Sequence, residues 1–152
     1  MKPTVYIETT VISYLAASPS RDLVVAAHQQ ITHTWWNRRD RFELLTSQAV
    51  LDEASRGDTD AAARRIGFLA KIPVLTVSDE VIEFAEQLLQ AGVVPAKVHS
   101  DAIHIAVAAM NHIAYLLHGI VLTSQTPRFV ARSKAHVERL DCRHPSSVRR
   151  KN

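Results

Sequence analysis

A short apolar run that stops at an acid and turns at once into a helix leaves a chain few ways to fold. Thr4-Val5-Tyr6-Ile7 is rich in β-branched and aromatic residues, the mark of a buried strand, and it runs directly into Glu8, Thr9 and Thr10. Beyond them Val11, Ile12 and Leu15 recur at helical spacing, which predicts a helix capped by Thr9 or Thr10. Glu8 then stands at the carboxyl end of a strand, the side on which open α/β sheets bind their ligands. A carboxylate in that place also serves simply as a helix cap, and this stretch alone leaves both roles open.

The same alternation continues along the chain. Ser20 is expected to open a helix reaching about Arg39, with Leu23, Val24, Ala27, Ile31 and Trp35 as its inward stripe. Of the adjacent Trp35 and Trp36, one is expected in the core and the other at its edge. Residues 42–46 read as a second strand, Ser47 as the cap of a helix over 48–56 closed by Gly57, and residues 58–70 as a further helix. A third strand is expected over 73–77. Ser78 then caps a helix whose Val81, Phe84, Ala85, Leu88 and Leu89 face inward, ended by Gly92. After a connector, Ser100 is expected to cap a helix from Asp101 to His112, and Tyr115-Leu116-Leu117 begins a fourth strand. Strands alternating with helices predict an α/β fold with a central parallel sheet and helices on both faces.

With 152 residues, 47% of them hydrophobic, the chain suits one domain with a real core. No apolar run approaches the roughly 20 residues that span a bilayer, and the N-terminus has no signal-peptide layout. A cytoplasmic location without a membrane partner is expected. The single Cys142 allows no internal disulfide. The net charge of +3 is uneven: residues 118–152 hold eight of the 18 basic residues but only two of the 15 acids. The basic character therefore belongs to the tail, and it carries no argument for nucleic-acid binding by the body. Phosphate loops, zinc spacings and a Gly-x-Ser-x-Gly elbow are absent. His104, three residues after Asp101, is expected to pack or hydrogen-bond locally.

Three acids stand out by placement: Glu8 at a strand end, Glu53 one turn after Ala49 and Val50 on an inward helical face, and Asp101 in a first helical turn. Hard divalent cations prefer oxygen ligands, and a carboxylate cluster holding them can activate water against a phosphodiester. Spacing alone does not bring these acids together.

At these residues the chain resembles the PIN domains, especially those of the VapC-like toxin type. The matching pieces are Tyr-Ile-Glu-Thr-Thr-Val-Ile-Ser-Tyr-Leu (6–15), Asp-Glu-Ala-Ser-Arg-Gly-Asp (52–58) and Asp-Ala-Ile-His-Ile-Ala-Val-Ala (101–108). The resemblance spans about residues 1–117. It implies a PIN-like three-layer fold over 1–127 and a Mg²⁺- or Mn²⁺-dependent ribonuclease acting on RNA as the toxin of a type II toxin–antitoxin pair. A homodimer and a cognate antitoxin are the implied partners. Carried over by position, Glu8, Glu53 and Asp101 are the implied metal ligands and catalytic acids, with Thr9 and Ser13 as nearby hydroxyls. Glu8 stands where most such domains have Asp.

The resemblance breaks after Leu117. Relatives tend to read Asp-Tyr-Leu-Leu-Thr-Trp-Asn-Cys-x-His-Ile-Ala-Asn-Ala, whereas this chain has Ala114 and then His118-Gly-Ile-Val-Leu-Thr-Ser-Gln-Thr-Pro. Written as codons with one added A, His118 to Pro127 can be regrouped to spell Thr-Trp-Asn-Cys-Thr-His-Ile-Ala-Asn-Ala. This agreement implies one base lost after the Leu117 codon, and a basic tail over 128–152 that packs poorly. The alternative to an active nuclease is then a catalytically impaired PIN-derived protein that keeps antitoxin or dimer binding. A third reading, a small-molecule binding domain with the acids as caps, lacks any phosphate loop to support it.

Overall fold

The computed structural model describes residues 1–94 and 99–118. Strand β1 (Thr4–Ile7) leads into α1 (Thr9–Ala16), and α2 (Leu23–Trp36) follows. A short 3-10 turn at Arg39–Arg41 precedes β2 (Glu43–Ser47), α3 (Gln48–Ala54) and α4 (Thr59–Leu69). Next come β3 (Val74–Leu75), α5 (Asp79–Gln90), α6 (His99–Met110) and β4 (Tyr115–Leu117). The four strands form one sheet in the order β3-β2-β1-β4, every neighbouring pair parallel. Tyr6 lies opposite Leu45 on one side and Leu116 on the other.

Both faces of the sheet are covered, and β1 shows why. Successive strand residues point to opposite faces, yet Tyr6 and Ile7 are each 0% exposed. Around them Val11, Ile12, Val50, Leu69, Leu88, Ala102 and Val107 complete the core. Full burial of side chains such as Ile7, Ile12 and Leu88 contributes about 1.5–3 kcal/mol each.

The structure departs from expectation at several element ends. Glu8, rather than either threonine, is the N-cap of α1, and its carboxylate accepts the Thr10 N–H (3.0 Å). The loop from Ser20 onward is not yet helical: Asp22 caps α2, accepting from the N–H groups of Val24 and Val25. The stripe foreseen on α2 also faces the wrong way, since Leu23, Val24 and Ile31 are exposed while Gln29 and Thr32 are buried. Hydrogen bonding decides the orientation. The Gln29 amide accepts the Ser20 N–H (2.9 Å) and donates to the Ser18 carbonyl (3.0 Å), satisfying loop backbone that would otherwise be stranded. Trp35 and Trp36 are both half-buried, Trp35 stacked on Phe42 and Trp36 edge-on to Phe68. The third strand has only two residues, and Ser100 lies within α6 rather than before it. The proposed tail over 128–152, and the element completing the site after Leu117, lie outside the described residues.

Candidate active site

The carboxyl end of β1 and the start of α1 place Glu8, Thr9 and Thr10 side by side. Glu8 is 3% exposed, and its Oε1 accepts both the N–H and the hydroxyl of Thr10. Strand β2 ends beside it and passes at once into α3, whose second turn carries Glu53. Arg65 of α4 secures that helix by donating Nε–H to the Ala54 carbonyl (2.8 Å). The Thr9 hydroxyl donates to Glu53 Oε2, so the residue after Glu8 meets the second acid directly.

Helix α6 contributes from the other side. His104 is 3% exposed, with Nε2 3.3 Å from Glu53 Oε2 and Nδ1 2.8 Å from the Tyr6 hydroxyl. The Tyr6 hydroxyl is also 2.7 Å from Ser47 Oγ. Local bonding was expected of His104, yet its partners lie 98 and 51 residues away in sequence. Ser47 likewise holds the N-cap position of α3 without bonding the helix, because its hydroxyl is turned to Tyr6.

Hydrogen bonding from His104 chiefly, and from Thr9, holds the Glu53 carboxyl below the usual carboxylate range despite partial burial. Glu53 is therefore an anion at neutral pH. It lines an open groove of about 710 Å³ with Gln48, Asp52, Arg56, Thr76 and Ser100, a size that admits a nucleotide. Arg56 places a positive charge near the Glu53 carboxylate.

Of the foreseen site residues, the structure joins Thr9 and Glu53 directly, while the Glu8 carboxylate, next in sequence to Thr9, bonds Thr10. Asp101 stands in the first turn of α6, three residues before His104. Ser13 lies one turn further into α1, its carbonyl accepting the Ala17 N–H (3.0 Å). Among the described residues, no three His, Cys, Asp or Glu side chains gather into a group able to hold a metal ion. As placed, the acids do not fit the three-carboxylate centre that the resemblance implies. Tyr6, Ser47 and His104 were not foreseen as site residues. A signal existed: His104 is flanked by Ala102, Ile103, Ile105, Ala106 and Val107, and a polar ring on so apolar a helix needs a buried partner.

Comparison with known proteins agrees on architecture. No family model matches the sequence, and no curated protein matches it. The fold itself is PIN-like: among the described residues, a parallel four-stranded α/β sheet with six helices. It is shared with the crystal structure of Mycobacterium tuberculosis VapC20, described as a Sarcin-Ricin loop cleaving toxin. The two are 19% identical with a TM-score of 0.57, over 74% of this chain and 86% of that one.

Proposed function

We propose that this protein is an endoribonuclease of the VapC kind, with Glu8, Glu53 and Asp101 as its acidic residues. The observation that carries the reading is Glu53, an ionised carboxylate lining an open groove beside Arg56 at the carboxyl end of a PIN-like sheet. Such a groove suits a phosphodiester: the Arg56 guanidinium can meet the phosphate, while a carboxylate oxygen accepts a proton from the attacking water. Dependence on Mg²⁺ or Mn²⁺ belongs to the same proposal on the strength of the resemblance alone, since the acids as placed form no three-carboxylate centre among the described residues. An antitoxin and a homodimer belong to it too, and the exposed apolar residues Leu23, Val24 and Ile31 of α2 support a protein partner.

A second reading, a catalytically impaired relative, is favoured by position 114. Ala114 offers only its backbone, donating N–H to Thr4 Oγ1 (2.9 Å), where the resemblance leads one to expect an aspartate. One experiment separates the two. The purified chain is incubated with RNA containing a sarcin-ricin loop, with Mn²⁺ or with EDTA, beside Glu53→Gln. Metal-dependent cleavage that falls at least 100-fold in Glu53→Gln, roughly 3 kcal/mol of barrier, supports the nuclease. Absence of cleavage that returns with Ala114→Asp supports impairment. Cleavage unchanged by Glu53→Gln removes both.

A further inference from the structure

Five side chains from five elements form a continuous hydrogen-bonded line through the domain: Ser47, Tyr6, His104, Glu53 and Thr9. Ser47, Tyr6 and His104 are respectively 0%, 0% and 3% exposed, so solvent settles none of their protons. The protons can be assigned by counting donors. An ionised Glu53 only accepts, so the N–H facing it must be on His104 Nε2. If Nδ1 also carried a proton, it would donate to Tyr6. The Tyr6 O–H would then turn to Ser47, and the Ser47 O–H would have no acceptor, because Tyr6 is its sole hydrogen-bond partner among the described residues. Buried donors are rarely left in that state.

The opposite order leaves no proton stranded. Ser47 donates to Tyr6, Tyr6 donates to Nδ1, and Nε2–H donates to Glu53. Burial also raises the Tyr6 phenol, which keeps its proton available to donate.

Both donors at the far end, His104 and Thr9, bond the same carboxylate oxygen, Oε2. Oε1 accepts no hydrogen bond among the described residues. We infer that His104 is the positioning residue of the site, its Nε2–H directed at Glu53 and its bare Nδ1 accepting from Tyr6, and that it clamps Glu53 Oε2 so that Oε1 is the oxygen offered to substrate. Its kinetic consequence rests on the ribonuclease reading; the tautomer does not.

The test therefore has two arms, both on the full chain. In the first, ¹⁵N-histidine NMR reads the protonation of each His104 ring nitrogen. The wild type is expected to show Nε2 protonated and Nδ1 bare, and Tyr6→Phe, which removes one oxygen and keeps the ring, to keep Nε2 protonated while the Nδ1 signal shifts with the loss of its hydrogen-bond donor. A protonated Nδ1 in the wild type, or an unaltered ring in Tyr6→Phe, overturns the inference. In the second arm, Tyr6→Phe is expected to lower kcat about tenfold with KM within about twofold, the scale at which supporting hydrogen bonds act in catalytic sites. His104→Gln, which keeps an N–H near the place of Nε2, should retain more activity than His104→Leu. Equal losses in the Gln and Leu variants, with both folded by circular dichroism, would reduce His104 to core packing and overturn the role. If the wild type cleaves no RNA, the ribonuclease reading fails, and the ring protonation alone decides the clamp.

Discussion

Burial raises the Tyr6 phenol above its ordinary 10.0, opposed by the Ser47 hydrogen bond and reinforced by the charges of Glu8 and Glu53. A folded value above the unfolded one means stability is unaffected below pH 10 and lost as pH rises further, because only the unfolded chain ionises freely there. Glu53 is the mirror case. Its folded value is depressed, so its contribution is full above the ordinary 4.5 and fades as pH falls through the lower folded value. Urea denaturation across pH is expected to show both edges: Tyr6→Phe flattens the alkaline loss, and Glu53→Gln flattens the acid one. A wild-type profile unchanged by either substitution would show that the pair does not govern the pH window. At this scale the acids were legible and their supports were not. Glu8 declares itself by ending a strand, whereas the hydroxyl of Tyr6 is hidden in a residue that also reads as plain strand core.

Two neighbouring helices end by the same device with different residues. At the end of α5, Val93 N–H reaches the Leu88 carbonyl and Gly92 N–H the Leu89 carbonyl, with Gly92 at φ 68°. At the end of α6, Ile113 and His112 make the same pair of bonds to Ala108 and Ala109, but His112 holds the left-handed position at φ 54°. Glycine adopts that conformation freely, whereas a residue with a Cβ is disfavoured by roughly 1–2 kcal/mol. His112→Gly is therefore expected to stabilise the domain by about 1 kcal/mol, partly offset by a freer unfolded chain, and to raise the melting temperature by a few degrees. A lowered melting temperature would mean that the His112 side chain makes a contact worth more than the strain. The contrast explains what could be read. Gly92 marks the end of α5 in the sequence, while nothing in Asn111-His112 marks a stop, so the pattern predicts a helix to His112 where the structure ends it at Met110. On α2, apolar spacing suggested an inward stripe, but spacing says only that residues share a face. The Gln29 bonds to the loop chose which face turned in.

Across the molecule, the alternation of strand and helix was enough to foresee a parallel α/β sheet, because parallel strands need crossovers and helices supply them. The order β3-β2-β1-β4 was not, since nothing local in Val5, Leu44 or Tyr115 names its neighbour. That order has a consequence for a chain made from one end. Strand β1 emerges from the ribosome first, yet one of its two partners is β4, and Thr4 also waits for the N–H of Ala114. The centre of the sheet thus keeps an open edge through most of synthesis, and contacts so distant in sequence close slowly. Nascent chains stalled before Tyr115 has emerged are expected to stay sensitive to protease, and chains stalled well past Leu117 to resist it. Equal resistance in both would mean that β2 and the helices hold β1 without its second neighbour. For a protein proposed to cut RNA, late closure has a biological reading: an unfinished chain cannot complete the strand on which Glu8 and Tyr6 depend, so the translating ribosome is spared a folded nuclease until its own work on the domain is nearly done.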